Sequence, residues 1–287
     1  MDGPVVAISS MVAKGTVGLR AIMPAMQARQ REVVAVPTAL LSWHPGHGSA
    51  TIAPTNKDEF CRLLGDLTGR SEWIGPAAIL SGWLADEDQV VALARFVADS
   101  KRQRPELIYL CDPVIGDMRG AYRPPAVIDA IAKELLPLAD ITTPNRFELE
   151  LLTGRALSDN GALIEAGRQL GVARLIITSA FAMMAGSVGN LLVVGDNALM
   201  VEKRVIADAP HGTGDLFSAL FLARLLEGQS DAAALSAATA SVFEMLARSR
   251  KAAHEELALA SEQACLVRPM AMVTERRIAM PKIAADG

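Results

Sequence analysis

Residues 209–226 constrain this chain more than any other stretch: Ala209-Pro210-His211-Gly212-Thr213-Gly214-Asp215 leads into the apolar series Leu216, Phe217, Leu220, Phe221, Leu222, Leu225 and Leu226. That spacing predicts a helix with a wide apolar face, well buried. Gly228 stands at the C′ position, where such a helix ends. Pro210 and the two glycines predict a loop just before it. A buried helix opened by Gly-Thr-Gly turns unpaired N–H groups, and the positive end of its dipole, into a cleft. With no side chain at Gly212 or Gly214, a phosphate can reach that backbone. Asp215 then has two readings. It caps the helix, or it takes the proton from a hydroxyl that attacks the phosphate.

The 287 residues suit one large α/β domain or two small ones, and a hydrophobic share of 51% is ample for a core. A net charge of −4 and 4% aromatics disfavour a nucleic-acid partner. Cys61, Cys111 and Cys265 are odd in number and widely spaced, the pattern of a reduced, cytoplasmic protein. No basic leader precedes an apolar stretch, and no apolar run is long enough to span a membrane.

Strand and helix patterns alternate along the chain. Strands are predicted over 4–9, 32–36, 77–82, 106–112, 140–143 and 173–179, and a short antiparallel pair over 190–194 and 198–205. Helices are predicted over 56–67, 86–100, 124–136, 158–171 and 230–251, with another starting after Thr143-Pro144-Asn145. Residues 118–123 form a candidate cover loop, and the tail after Leu266 carries no readable motif. The alternation predicts a mainly parallel sheet covered on both faces, a three-layer α/β/α fold. Strand ends bearing Asp112, Asn145 with Glu148, and Thr178 with Ser179 then converge with the Gly212 loop on one edge of that sheet. Asn145 and Glu148 have capping-box spacing; Glu148 serves that box or reaches a metal through water. Trp83 is either core or a flat wall for a ring.

Several chemistries are excluded. The Gly15-x-x-Gly18 turn lacks the full dinucleotide fingerprint and its acidic ribose ligand. There is no P-loop and no protein-kinase motif set. His44 and His47 lack a third zinc ligand nearby in sequence, so a pocket loop or surface turn is expected there. The acids and hydroxyls around a glycine-opened helix fit phosphoryl transfer, which needs positioning, N–H donors, a metal and a base.

Gly212-Thr213-Gly214-Asp215, Thr143-Pro144-Asn145-x-x-Glu148-x-x-x-Leu152 and Asp112-Pro113-Val114-x-Gly116 resemble the signature blocks of the ribokinase-like superfamily. Within it, Ala7-Ile8-x-Ser10-x-Val12-x-x-Gly15-x-x-Gly18 and Ser42-x-His44 are similar to the pocket segments of the pyridoxal kinases. The resemblance runs from Val5 to about Ala260 and implies a single kinase domain over 1–287. It implies that Asp215 activates the 5′-hydroxyl of pyridoxal, with Gly212, Thr213 and Gly214 forming the anion hole. Asp112 and Glu148 would manage Mg²⁺, largely through water, and Asn145, Thr178 and Ser179 would lie on the ATP side with Gly212 and Gly214. Ser10, Val12, His44, Pro45, Gly46, Trp83 and Tyr122 would line the ring pocket, with Ser10 on the pyridine ring and Tyr122 covering it. ATP, Mg²⁺, K⁺ as a further candidate ion, and a homodimer are the implied cofactors and partner. Departures lie in the ring pocket: Met11 and Lys14 replace a usual histidine and tyrosine, and His44-Pro45-Gly46-His47 replaces His-Thr-x-Tyr. A hydroxymethylpyrimidine kinase and a non-catalytic B6-vitamer binding protein are the alternatives. A sugar kinase ranks below them, since no inserted lid of strands is evident.

Overall fold

The computed structural model describes residues 3–68 and 75–279. Strand β1 (Val5–Val12) lies between β2 (Val33–Leu41) and β4 (Ala78–Ser81), parallel to both. Strands β5 (Ile108–Cys111), β8 (Ile141–Thr142) and β9 (Arg174–Ala180) extend the parallel set beyond β4. An antiparallel strand, β3 (Ile52–Pro54), closes the β2 side. On the other side β10 (Ser187–Val194), β11 (Asn197–Arg204) and β12 (Thr274–Ile278) follow β9 as an antiparallel run. The resulting order is β12-β11-β10-β9-β8-β5-β4-β1-β2-β3. The expected three-layer α/β/α architecture with a mainly parallel centre is what forms.

Alternation along the strands decides which face each side chain buries. Val5 and Ala7 pack on one side with α1 (Leu19–Ala28), α7 (Thr213–Leu226) and α8 (Asp231–Lys251). Val6 and Ile8 pack on the other with α2 (Lys57–Thr68), α3 (Glu87–Gln103) and α4 (Pro125–Ala130). Helices α5 (Arg146–Thr153) and α6 (Asn160–Arg168) continue that second layer over β9 and β10. Helix α7 is apolar on all sides and almost wholly buried from Leu216 to Arg224, as its sequence predicts.

Differences from the sequence expectations have local causes. Helix α1 carries Pro24 inside it, which interrupts the helical reading there. The helix expected over 124–136 is an α-helix only to Ala130; a wide π turn and a 3-10 turn containing Pro137 finish it. Residues 116–121 pair as a small hairpin, β6 (Gly116–Asp117) with β7 (Gly120–Ala121), rather than a loose loop. The short helix α9 (Ala264–Val267) ends where the tail after Leu266 begins, and that tail supplies β12. Too short or too charged to stand out alone, β3 and β12 form because a neighbouring edge supplies hydrogen-bond partners.

A buried amide ties the substrate-side loops to the scaffold. Gln89 of α3 donates to the carbonyls of Thr38 and Thr55, each at 2.8 Å, and accepts from Ala85 N–H at 2.9 Å. Gln89→Leu keeps the volume and strands the Ala85 and Thr55 backbone groups. It is expected to lower unfolding free energy by about 1–3 kcal/mol in a denaturant titration.

Candidate functional site

The parallel strands end along one sheet edge, and the predicted residues gather there. Gly212 caps α7 with φ +91° and supplies no side-chain cap, leaving the first-turn N–H groups open. Asp215 stands at the third helical position, so it is not the cap residue. Its Oδ2 instead accepts from Gly18 N–H at 2.9 Å. Gly82 closes in behind: a Cβ there would lie 3.7 Å from Asp215 Oδ1. The carboxylate is half-buried, and desolvation pushes its pKa up to about 6, against the Gly18 hydrogen bond that favours the ionised form. Such a group is ionised at neutral pH yet holds a proton readily, which is what a general base requires.

Asp112 lies just past β5, where Ser218 Oγ donates to its Oδ2 at 2.9 Å. Ser218 sits one turn beyond Asp215 and also bonds Thr143 Oγ1 at 2.9 Å. Glu148 closes the capping box with Asn145: Glu148 N–H donates to Asn145 Oδ1, and Asn145 N–H to Glu148 Oε2, both at 2.9 Å. Its other oxygen accepts from Ile115 N–H at 2.8 Å and Gly116 N–H at 3.3 Å. Both carboxyls are raised in pKa, chiefly by burial; the Glu148 charge raises Asp112 further, and three backbone N–H groups oppose the rise at Glu148.

This pair tests the expected metal. Burial disfavours the ionised form of both acids, and a divalent ion beside them would favour it. Glu148 has committed both oxygens to backbone donors, so Asp112 is the freer ligand. Among the described residues, no group of three or more His, Cys, Asp or Glu is arranged to hold a metal. The residues therefore fit Mg²⁺ held mostly through water and ligand oxygens, as that ion prefers.

Thr178 joins the same edge by a parallel bridge to Asn145 and an N–H bond to the Pro144 carbonyl at 2.9 Å. Ser179 follows it, exposed and with φ +56°. On the ring side, Ser10 is buried in β1 with its Oγ against Gly18, while Val12 packs with Val17, Ala39, Leu41 and Trp83 behind the pocket. Trp83 thus packs against the core on one side, and the Arg123 guanidinium lies over its ring at 4.4 Å. A flat ligand reaches that face only by displacing Arg123. Tyr122 is exposed at the hairpin and bonds Asp117.

His44 caps a single 3-10 turn, Pro45–His47, and its Nδ1 accepts from Gly46 N–H at 3.0 Å. Its ring stacks on His211 at 4.0 Å with a 28° interplanar angle, so their in-plane lone pairs run side by side and do not converge on one ion. Burial and the neighbouring His211 and His47 rings lower the His44 pKa to about 4, so it is neutral. Gly46 has a packing reason: a Cβ there would lie 2.6 Å from His211 Nε2.

A family model described as phosphomethylpyrimidine kinase matches residues 13–259. The chain belongs to that family. The pyridoxine/pyridoxal/pyridoxamine kinase of Bordetella bronchiseptica is 38% identical over 89% of this chain and 93% of its own. A pyridoxal kinase of Rubrobacter xylanophilus is 30% identical, covering 96% of this chain and 97% of that protein. The pyridoxal kinase of Leishmania donovani, solved with ADP and pyridoxamine, superposes with a TM-score of 0.89 at 26% identity, over 96% of this chain and all (100%) of that one. As a phosphomethylpyrimidine kinase family member, the chain carries its glycine-opened helix and acid pair on the expected sheet edge.

Gly82, Ser218, His211 and Glu256 have no role in the site expected from the sequence, and Gly18 enters there only as part of a pocket-like segment. Ser218 was detectable as a hydroxyl one turn from Asp215 on an otherwise apolar helix. Gly18 and Gly82 contribute backbone and empty space, which leave no chemical mark in a sequence. The role of Gly212 also changes. A Cβ there would lie 1.9 Å from the Thr16 carbonyl oxygen, so the glycine is demanded by the fold as well as by ligand approach. A Cβ at Gly214 meets nothing within 4 Å and stands in the open space above the first turn. Gly212→Ala is therefore expected to lower Tm by several degrees. Gly214→Ala is expected to keep Tm while weakening ADP binding in calorimetry.

Proposed function

We propose that this chain transfers the γ-phosphoryl group of ATP to the 5′-hydroxyl of pyridoxal, pyridoxine or pyridoxamine. The observation that carries this reading is the Asp215 carboxylate, half-buried and poised near pH 6, on the first turn of a helix whose N–H groups are uncapped. A binding protein gains nothing from desolvating an acid beside an anion site, whereas a kinase uses it to accept the proton of the attacking alcohol. Named relatives with pyridoxal-type substrates, and the ADP complex of one neighbour, support the choice of reactants.

The roles divide as follows. The first-turn N–H groups of α7 face the transferred phosphoryl group, and Asp215 takes the proton. Asn145, Thr178 and Ser179 lie on the nucleotide side. Ser10, His44, Pro45, Gly46, Trp83 and Tyr122 face the ring, and Val12 backs them. Asp112 and Glu148 would hold Mg²⁺, largely through water, and the ion would neutralise phosphate charge. K⁺ is a further candidate ion. The reading treats 1–287 as one kinase domain working in the cytoplasm; among the described residues no helix is long and apolar enough to cross a membrane. It also makes the protein a homodimer; the exposed apolar residues Leu40, Trp43 and Ile52 lie on or next to the β2–β3 end of the sheet.

A hydroxymethylpyrimidine acceptor is the second reading, favoured by the description of the matching family model. Separate assays of ATP consumption with each B6 vitamer and with hydroxymethylpyrimidine distinguish them: faster turnover of the pyrimidine reassigns the substrate. Asp215→Asn is expected to lower kcat by about 10²–10⁴-fold with ATP binding retained, and a loss under about fivefold removes Asp215 as the base.

The pH dependence has a definite sign. The ionised form is the active one, so kcat/KM rises through pH about 6 and then levels. Because the folded pKa is raised, the group's stability contribution is full below the ordinary carboxylate pKa of 3.8 and is lost as pH climbs through about 6. The Asn variant should therefore gain thermal stability over the parent between pH 4 and pH 7, as seen by paired melting curves.

A further inference from the structure

Glu256 belongs to the irregular segment after α8, where it caps no helix. Its carboxylate reaches two loops distant in sequence. Oε2 accepts from Thr16 N–H at 3.1 Å and from Thr16 Oγ1 at 2.9 Å. Oε1 lies 3.1 Å from His47 Nε2 on the 44–48 loop. Leu257 N–H then donates to Thr16 Oγ1 at 3.0 Å, so the threonine is gripped by consecutive residues of that segment.

What Thr16 does explains why it is held. Its carbonyl presses on Gly212, where an added Cβ would meet it at 1.9 Å. Two residues on, Gly18 N–H donates to Asp215 at 2.9 Å. The 15–18 loop is therefore a template: one side sets the position of the α7 cap, and the other aims the Asp215 carboxylate. Gly15 fits the same arrangement, since with φ +123° a Cβ there would crowd Glu256 Oε1 at 3.0 Å.

We propose that Glu256 is a positioning residue for phosphoryl transfer, acting through Thr16 on Gly212 and Asp215 and through His47 on the ring-side loop. Glu256 touches neither reactant. It couples the two halves of the cleft, so that closure of the ring-side loop and alignment of the base share one anchor. The inference rests on the reading of Asp215 as the base.

The test is steady-state kinetics of the full-length protein with ATP, Mg²⁺ and each ring alcohol, beside melting curves. Glu256→Ala is expected to lower kcat about tenfold or more, because small misplacements of reacting groups cost that much. KM for ATP should stay within about twofold, since ground-state nucleotide contacts are untouched. Glu256→Gln keeps an acceptor for both Thr16 donors and should restore most of kcat, which a bulk stability effect would not reproduce. His47→Ala should raise KM for the ring alcohol more than it lowers kcat. If Glu256→Ala does not fold, Thr16→Val decides the matter, because it removes the hydroxyl bridge and retains the backbone one; a several-fold fall in kcat supports the proposal. Wild-type kcat in Glu256→Ala or in Thr16→Val, or equal damage from Glu256→Ala and Glu256→Gln, overturns it. Absence of turnover in the parent protein with every alcohol overturns the kinase reading itself, a distinct result.

Discussion

The hydrogen bond from Gly18 N–H to Asp215, 2.9 Å long, joins the loop after the first strand to the first turn of α7. Much of the cleft follows from it. A desolvated carboxylate needs donors, and a loop donor must arrive without a side chain in the way. A Cβ at Gly18 would lie 2.2 Å from the Ser10 carbonyl oxygen, so β1 itself forces the residue to be glycine. The loop then passes so close to α7 that Gly212 has no room for a side chain either. One contact thereby fixes two glycines, the helix entry and the direction of the acid.

The neighbouring acids obey a different logic. Burial raises both Asp112 and Glu148 toward protonation, and the Glu148 charge raises Asp112 further, but each is held by hydroxyl or backbone donors. Ser218 of α7 bonds both Asp112 and Thr143, so Asp112 is tied directly to the helix that carries Asp215. The charge is stored in a rigid frame of donors, which lowers the reorganisation needed when phosphates arrive.

Local signals carried much of this into the sequence. The Asn145–Glu148 box, the Gly228 terminus and the strand–helix alternation all have short-range causes and are found where expected. The acids at strand ends converge because parallel strands share a C-terminal edge. Other features were illegible for equally physical reasons. Strands β3 and β12 exist by pairing with neighbours, and Pro24 obscures α1. Trp83 reads in the sequence as either core or a ring wall, and Arg123, forty residues away, is invisible there although its guanidinium lies over the ring. Glu256 carries no motif at all; its partner Thr16 lies 240 residues earlier in the chain.

The two ends of the sheet differ in chemistry. At one end, β12 turns Glu275, Arg276 and Arg277 to solvent, and a strand of mixed charges resists the addition of another strand. At the other, β3 is only three residues long and uncharged, with exposed Ile52 within it and exposed Leu40 on the adjoining β2. Strand β12 is separated from β11 in sequence by α7, α8 and α9, so the β11 edge is covered by a segment far from it along the chain. A chain cut between α9 and β12 would leave that edge open with every residue of the cleft still in place.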